Sequence, residues 1–251
     1  MIRFDGLRVV VTGAGGGVGT ALTARFAELG AAVIACAVEG TDLSAPHLAE
    51  RHLFDLRDKA AVANAVAQIV ANGTPSVIIS NAGWTRQDTL ELTTPEGVTD
   101  EMDRNFTGAA LFSHALLPAM RAKSGDKAFV FISSVNALTH HGNPAYSAAK
   151  AAVLAWMRAL AGEEGKHGIR ANAVIPASIR TNAWVYRLEA DPSVMDRLSK
   201  LYPLGRIVTT TEVANAVAFL ASPAASGITG TTLNVDAGLM AGNLPFLDVI
   251  R

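Results

Sequence analysis

Tyr146 and Lys150 lie four residues apart at the start of an alanine-rich stretch that predicts a helix. Positions i and i+4 share one face of a helix, so the phenol and the ammonium can meet the same small molecule. A free phenol has a pKa near ~10, and an adjacent cation lowers that pKa because it favours the phenolate. The spacing therefore indicates a proton-transferring tyrosine. The alternative is a surface tyrosine beside a solvated lysine, and the rest of the chain has to decide between them.

Short β-branched runs alternate with longer alanine-rich stretches along the whole chain. The strand candidates are Leu7–Thr12, Ala32–Ala37, His52–Phe54, Val77–Ser80, Ala128–Ser133, Arg170–Ile175 and Thr232–Val235. The helical patterns cover Gly17–Leu29, Lys59–Ala71, Gly97–Arg121, Ala145–Gly165 and Thr211–Ala221. Apolar strands separated by helices are typical of a parallel sheet covered on both faces. The pattern predicts a single α/β domain, residues 1–251, with a doubly wound sheet of about seven parallel strands.

One segment, Thr181–Arg206, interrupts this alternation. It is rich in Trp, Tyr, Arg and Pro and has no clean period. A long excursion from a compact domain is often a lid or a substrate loop. We therefore expect a substrate loop at about residues 181–206.

A glycine-rich turn, from Thr12 to Gly19, follows the first strand candidate and leads directly into a helical pattern. Glycines permit a tight turn and let the backbone approach a pyrophosphate, which then rests on the helix N-terminus. Between a strand and a helix, such a turn indicates dinucleotide binding. Its simpler interpretation is a turn without a ligand.

Composition excludes several classes of protein. The 251 residues are 50% hydrophobic, with 21 basic and 22 acidic side chains, which argues against a large surface for nucleic acid or an anionic membrane. The single Cys36 excludes an internal disulfide framework. Neither a targeting segment nor ~18 consecutive apolar residues is found. We expect a cytoplasmic protein with a small-molecule substrate and with neither a nucleic-acid nor a membrane partner.

Five motifs occur in order along the chain. They are T-G-x-x-x-G-x-G at 12–19, Asn81-Ala82-Gly83, Asn105-Phe106-Thr107-Gly108, Ser133-Ser134-Val135 and Tyr146-x-x-x-Lys150. Together with 228–230 and 234–238, this set resembles the short-chain dehydrogenase/reductase family over essentially the whole chain. The resemblance implies a Rossmann-like fold and an NAD(P)-dependent oxidoreductase that interconverts a secondary alcohol and a ketone by hydride transfer.

The resemblance also implies roles for the catalytic residues. Tyr146 would be the general acid/base, and Lys150 would bind the nicotinamide ribose and lower the phenol pKa. Asn105 would hold a water that links Lys150 to solvent; without the other motifs it would be a polar residue on a helix surface, or one that bonds a neighbouring backbone carbonyl. Ser134, which precedes Val135, would polarise the substrate carbonyl. Ser133 lies at the more usual spacing of 13 residues before the tyrosine, so both serines stay open, with Ser134 preferred.

By the same resemblance, several elements would line the cofactor. The expected contacts are Gly13, Gly15, Gly17, Val18, Gly19, Ala37, Asp55, Leu56, Asn81, Ala82, Gly83, Tyr146, Lys150, Pro176, Ile179 and Thr181. Asp55 could instead form a turn or helix cap before Arg57. Ala177 stands where the family usually has Gly, which disfavours a positive φ after Pro176.

The choice between NAD and NADP depends on the end of the second strand. An acidic residue there normally binds the adenosine ribose and repels a 2′-phosphate. This chain has Ala37 at that position, followed by Val38 and Glu39, and no Arg in the glycine turn or directly after Ala37. Glu39 could reach the ribose or be a solvated loop charge. Because nothing obvious would pair with a 2′-phosphate, NAD(H) is favoured over NADP(H).

The substrate-pocket candidates are Trp84, His140, His141, Asn143, Trp184 and Tyr186, of which Trp84, His141 and Trp184 are preferred beside Ser134. Adjacent histidines rarely chelate one ion, so we predict a polar loop at His140-His141 and no metal site. Two other functions stay open: a non-catalytic dinucleotide-binding regulator, and an isomerase or dehydratase of the same fold. The family resemblance implies a homotetramer or homodimer built through the helices at 97–121 and 145–165.

Overall fold

The computed structural model describes residues 2–84, 89–181, 188–189 and 191–250. Seven strands form one parallel sheet in the order β3-β2-β1-β4-β5-β6-β9. Their bounds are Arg8–Thr12 (β1), Ala32–Ala37 (β2), Leu48–Leu53 (β3), Val77–Ser80 (β4), Lys127–Ile132 (β5), Ile169–Pro176 (β6) and Thr232–Val235 (β9). The predicted seven-stranded, doubly wound α/β sheet is confirmed.

Helices cover both faces of the sheet. Those in the described chain are Gly17–Glu28 (α1), Lys59–Ala71 (α2), Pro95–Met102 (α3), Gly108–Ala122 (α4), Pro144–Glu164 (α5), Val194–Ser199 (α6), Thr210–Ala221 (α7) and Leu244–Ile250 (α8). No helix of the described residues is both long and apolar enough to cross a membrane.

Alternation along the strands divides the core into two layers. Val10 faces one buried cluster, which includes side chains of α2, α4 and α5. Its neighbours Val9 and Val11 face the other cluster, which includes side chains of α1 and α7. Successive strand residues point to opposite faces, so an apolar run buries both faces of a central strand. This packing fixes the carboxyl ends of the central strands, where the site lies.

Two predicted elements have different bounds in the structure. β3 begins at Leu48, earlier than the predicted His52, because this edge strand alternates buried and more exposed residues and lacks a long apolar run. The single helix predicted at Gly97–Arg121 is instead α3, a π-helical turn at Asp103–Thr107, and α4. A π turn inserts an extra residue into the helical path and often marks a functional site.

The excursion at about 181–206 is anchored at both ends where the structure describes it. Strands Ile179–Arg180 (β7) and Val208–Thr209 (β8) pair in parallel and join its two ends. The side chain of Tyr202 is buried, and its hydroxyl accepts a hydrogen bond from the backbone N–H of Ser178 at 3.2 Å. These contacts bring the excursion back to the carboxyl end of β6.

Candidate active site

The glycine turn leaves the N-terminus of α1 open to a ligand. Gly13 has a φ of +64°, in the left-handed region, and Gly16 caps the helix without a side chain. A Cβ on Gly19 would lie 2.0 Å from the carbonyl oxygen of Gly13, so a larger residue would separate the helix from the turn. Free backbone N–H groups at a helix N-terminus favour an anion. The turn therefore fits a phosphate group.

A side-chain network joins this turn to the end of β4. The Thr12 hydroxyl accepts hydrogen bonds from the backbone N–H groups of Asn81 and Ala82, at 3.0 and 3.1 Å. The Asn81 amide donates in return to the carbonyl oxygens of Thr12 and Gly13. The network holds Asn81-Ala82-Gly83 beside the glycine turn, as a dinucleotide site at this edge of the sheet requires.

A cavity of about 1370 Å³ runs along the carboxyl ends of the strands. All the residues predicted to bind the cofactor line it: Gly13, Gly15, Gly17, Val18, Gly19, Ala37, Asp55, Leu56, Asn81, Ala82, Gly83, Tyr146, Lys150, Pro176, Ile179 and Thr181. Ligand pockets usually measure ~300–1,000 Å³, so this cavity has room for an extended molecule. Ala177 also lines the cavity and has no positive φ, which removes the need for glycine there.

Tyr146 and Lys150 lie in the first two turns of α5 and reach the same end of the cavity. The Lys150 Nζ lies 5.6 Å from the centroid of the Tyr146 ring and donates a hydrogen bond to the carbonyl oxygen of Ile132 at 3.0 Å. The helix thus presents both side chains on one face, as their spacing predicts.

Burial sets the proton affinities of this pair. It raises the pKa of Tyr146 to about 12, while a hydrogen bond with Ser134 lowers that pKa and the charge of Glu101 adds to the rise. Burial lowers the pKa of Lys150 to about 8, and Glu101 opposes this. The sequence predicted a lowered phenol pKa, whereas in the free protein the pKa is raised, because desolvation of the phenolate outweighs the hydrogen bond from Ser134.

The two candidate serines have different partners. The Ser133 hydroxyl donates to the backbone carbonyl oxygen of Lys150 at 2.9 Å and so ties β5 to α5. The Ser134 hydroxyl accepts from the backbone N–H of Asn136 at 3.2 Å and contributes the hydrogen bond to Tyr146. Ser134 is therefore the serine whose hydroxyl meets the phenol.

Asn105 is buried in the π turn and does not line the cavity directly. Its amide nitrogen donates to the carbonyl oxygen of Trp84 at 2.8 Å, and its Oδ1 accepts from the Trp84 N–H at 3.1 Å. Gly83 separates it from Lys150: a Cβ on Gly83 would lie 2.8 Å from Asn105 Oδ1 and 3.1 Å from Lys150 Nζ. Asn105 and Lys150 thus lie on two sides of the same glycine, and the water expected between Asn105 and Lys150 stays a prediction.

The opposite end of the cavity is lined by small and uncharged side chains at the end of β2. Ala37, Val38 and Thr41 lie there. Asp55 accepts hydrogen bonds from the backbone and the guanidinium of Arg57, which lowers the Asp55 pKa. Asp55 forms the predicted turn with Arg57 and also lines the cavity, and its contact with a cofactor stays a prediction.

The substrate candidates are only partly brought together. Trp84 and Asn143 line the cavity, whereas His140 and His141 are exposed and lie away from its wall. Trp184 and Tyr186 lie outside the described residues. The sequence-based prediction missed Arg57 and Arg104, which also line the cavity. Arg104 pairs with Asp100 at 2.7 Å, an i,i+4 spacing that the sequence contains.

The two ends of the cavity suit different chemical tasks. At one end a glycine turn and an open helix N-terminus fit the phosphates of a dinucleotide. At the other end a phenol, an ammonium and a hydroxyl converge on one space, which suits proton transfer to or from an oxygen. The geometry fits a dinucleotide cofactor held beside an acid–base site.

Comparison with known proteins gives matches over nearly the full chain. The family model described as enoyl-(acyl carrier protein) reductase matches residues 13–240. The 3-oxoacyl-(acyl-carrier-protein) reductase of Escherichia coli is 32% identical to this chain. The aligned region covers 95% of this chain and 99% of that reductase. Both descriptions are of reductases named for acyl-carrier-protein substrates.

Two crystal structures are similar in fold. An oxidoreductase of the short-chain dehydrogenase/reductase family from Burkholderia thailandensis has a TM-score of 0.90 and 37% identity, covering 97% of this chain and 96% of that one. A gluconate 5-dehydrogenase from Burkholderia cenocepacia J2315, in complex with NADP and tartrate, has a TM-score of 0.86 and 28% identity. The match covers 96% of this chain and 98% of that one.

Proposed function

The chain belongs to the short-chain dehydrogenase/reductase family, and from this premise we propose that Tyr146, Lys150, Ser134 and Asn105 are its proton-transfer site. Members of this family are NAD(P)-dependent oxidoreductases that act on CH–OH groups, and this chain is such an oxidoreductase. The proposed reaction interconverts a secondary alcohol and a ketone. The observation that carries it is the convergence of Ser134, Tyr146 and Lys150 at one end of a cavity whose other end is a phosphate-binding turn.

Different residues would bind different parts of the cofactor. The glycine turn and the N-terminus of α1 would hold the pyrophosphate, and Asn81-Ala82-Gly83 would lie beside the adenosine half. Lys150 would contact the nicotinamide ribose, with Pro176, Ile179 and Thr181 along the nicotinamide. Bound NAD(P) supplies the hydride acceptor for oxidation and the hydride donor for reduction.

Proton transfer would then take place at the Tyr146 hydroxyl. In reduction the phenol gives its proton to the substrate oxygen, while the Ser134 hydroxyl donates a hydrogen bond that polarises the carbonyl. The Lys150 ammonium, 5.6 Å from the ring centroid, stabilises the phenolate that remains. Because burial raises the pKa of Tyr146 to about 12, the free site keeps the proton on the phenol at neutral pH.

For the cofactor we propose a preference for NAD over NADP. The support is the uncharged surface at the end of β2, where Ala37, Val38 and Thr41 line the cavity. Two cationic side chains of the described cavity wall, Arg57 and Arg104, are both paired with carboxylates. The Burkholderia cenocepacia gluconate 5-dehydrogenase is a relative that binds NADP, so a direct comparison of the two cofactors is needed.

The test combines a substrate screen with Tyr146→Phe. Polyols, sugar acids, acyl thioesters and hydrophobic ketones are assayed with NAD and with NADP by the change in nicotinamide absorbance. Removal of the phenolic hydroxyl should lower kcat by roughly 10³-fold or more, because the proton then has no donor at the substrate oxygen. The dissociation constant for the cofactor, measured by titration calorimetry, should change by less than ~3-fold.

Three outcomes would contradict the proposal. Turnover that survives Tyr146→Phe would exclude the tyrosine mechanism. Tight cofactor binding by the wild-type protein without turnover of any of these substrates would favour the non-catalytic regulator. Catalysis without a net change in nicotinamide absorbance would favour the isomerase or dehydratase.

A further inference from the structure

A carboxylate that is not part of the proposed proton-transfer site contacts one of its residues, Asn105. Glu101 lies in the last turn of α3, four residues before Asn105, and is half-buried. Helix α3 packs against α5, the helix that carries Tyr146 and Lys150. Nothing in the proposed reaction uses Glu101, yet it is bonded to one member of the proposed site and its charge acts on two others.

The amide of Asn105 is held in one orientation. Its Nδ2 donates to Glu101 Oε2 at 2.8 Å, to the Glu101 backbone carbonyl oxygen at 3.0 Å and to the Trp84 carbonyl oxygen at 2.8 Å. An ionised carboxylate only accepts hydrogen bonds, so it demands the nitrogen side of the amide. Oδ1 therefore faces the opposite direction.

That direction leads to Lys150. A Cβ placed on Gly83 would lie 2.8 Å from Asn105 Oδ1 and 3.1 Å from Lys150 Nζ, so the two polar atoms flank the same glycine. With the amide reversed, an N–H group would face the lysine instead of an oxygen. The Glu101 carboxylate, together with the Trp84 and Glu101 backbone groups, thus keeps the acceptor oxygen of Asn105, and not an N–H group, on the side of the Lys150 ammonium.

We propose that Glu101 is a positioning residue of the proton-transfer site, fixing the Asn105 amide with its oxygen toward Lys150 and supplying a negative charge to the Tyr146–Lys150 pair. The inference rests on the proposed function of those residues. Glu101 need not touch substrate or cofactor, because it acts through Asn105 and through its charge.

The charges around Glu101 agree with this role. From α5, Tyr146 and Lys150 both have their pKa raised by the charge of Glu101. On its own segment, Asp100 pairs with Arg104 and also with Arg57 from the turn before α2. These pairs neutralise Asp100 and leave Glu101 as the described carboxylate whose charge acts on both proton-holding side chains.

The direction of the charge effect is the same for both groups. A nearby anion disfavours loss of a proton from an ammonium and from a phenol, so it raises both pKa values. Neutralising Glu101 should therefore lower the pKa of Lys150 and the pKa of Tyr146. Whichever of the two groups limits catalysis, the corresponding limb of a pH–rate profile should move to lower pH.

The test is Glu101→Gln, which keeps the shape of the side chain and removes its charge. The apparent pKa of kcat/KM in the alcohol-oxidation direction should fall by roughly half a pH unit or more. In the cofactor-free protein, the titration of Lys150 is followed by NMR on ¹³C-labelled lysine and assigned by the loss of its signal in Lys150→Arg. That titration, near pH 8 in the wild type, should move the same way.

Two further variants complete the experiment. Glu101→Asp keeps the charge and should restore the Lys150 titration toward its wild-type position. Glu96→Gln removes the same charge from the exposed first turn of α3 and should leave both readouts unchanged. The inference is overturned if the wild-type and Glu101→Gln titrations superimpose, or if Glu96→Gln shifts them equally.

The inference and the proposed function can fail separately. If Tyr146→Phe keeps its turnover while Glu101→Gln still shifts the Lys150 titration, the proposed function fails and the role of Glu101 on Lys150 stands. If Tyr146→Phe is inactive but Glu101→Gln leaves the Lys150 titration in place, the proposed function stands and the role of Glu101 is excluded.

Discussion

Burial opposes the charged forms of both proton-holding side chains. The phenolate of Tyr146 and the ammonium of Lys150 each lose hydration at the wall of the cavity, which raises one pKa and lowers the other. Two partners act on this balance, because Ser134 stabilises the phenolate and Glu101 stabilises the ammonium. In the free protein Tyr146 therefore holds its proton at neutral pH. Any lowering of the Tyr146 pKa has to come from interactions that form when a ligand binds.

The lowered pKa of Lys150 predicts a pH dependence of stability. The folded-state pKa is about 8 against 10.5 for an ordinary lysine, so between these values the unfolded chain binds a proton that the folded chain does not. The free energy of unfolding should therefore rise with pH through this window. In Lys150→Met this contribution is absent.

Denaturant unfolding of the cofactor-free proteins at pH 7.5 and 9.5 measures the effect. Between these two pH values, the free energy of unfolding of the wild type should rise by roughly 1–2 kcal/mol relative to that of Lys150→Met. Both pH values lie below the pKa of an ordinary tyrosine, ~10. Lys166→Met, at an exposed lysine, is the control and should follow the wild-type slope. Parallel slopes for the wild type and Lys150→Met would show that Lys150 is not desolvated.

At the scale of single residues, spacing along the chain was enough to select most residues of the candidate active site. Tyr146 and Lys150 could be paired from their i,i+4 spacing, and Ser134 could be preferred from its place before Val135. Glu101 was missed although it stands four residues before Asn105, a spacing that brings side chains together on a helix. The direction of the Tyr146 pKa could not be predicted, because burial depends on contacts between elements far apart in the sequence.

At the scale of elements, the glycine turn and α1 depend on the absence of one side chain. A Cβ on Gly19 would lie 2.0 Å from the Gly13 carbonyl oxygen and 2.8 Å from the Ala14 backbone, and backbone atoms cannot move away as a side chain can. Gly19→Ala should lower the melting temperature of the cofactor-free protein by roughly 4–10 °C, from about 2–3 kcal/mol of overpacking. Differential scanning calorimetry measures this.

Gly165→Ala is the matched substitution. Gly165 ends α5 with a φ of −54°, which any residue adopts, and nothing lies within 4 Å of its added Cβ. The melting temperature of Gly165→Ala should stay within about 2 °C of that of the wild type. Equal melting temperatures for Gly19→Ala and the wild type would mean that α1 is not held against the turn as described.

Elements were predicted well where their apolar pattern was strong and less well elsewhere. The central strands β1, β4, β5 and β6 have continuous apolar runs, and their positions were predicted to within about one residue. The edge strand β3 and the two-residue strands β7 and β8 carry no such run. The π turn around Asn105 has no sequence signal of its own, because the helical period continues on both sides of it.

At the scale of the whole molecule, the two-layer core explains why one cavity edge carries the site. Clusters on both faces of the sheet leave the strand ends as the place where loops can diverge, and the cavity lies there. The cytoplasmic location and the homotetramer stay predictions. Oligomerisation depends on surface residues, whose types are weakly constrained by the fold of one chain.

The predicted assembly through α5 can be tested on its exposed face. This face carries the small residues Ala151, Ala155, Ala159 and Gly162, all exposed in the single chain. Small side chains let two helices approach closely, and a long charged side chain there would be buried without a partner on association. Ala155→Arg should therefore dissociate a tetramer formed through α5 and leave the fold of the chain intact.

Sedimentation velocity measures the outcome against a mass of 26.1 kDa for one chain. The wild type should sediment as about four chains and Ala155→Arg as one or two, with an unchanged far-ultraviolet circular dichroism spectrum. Ala67→Arg, at an exposed alanine of α2, makes the same change on a helix outside the predicted interface and should keep the wild-type mass. A wild-type monomer, or an Ala155→Arg variant of unchanged mass, would exclude assembly through this face of α5.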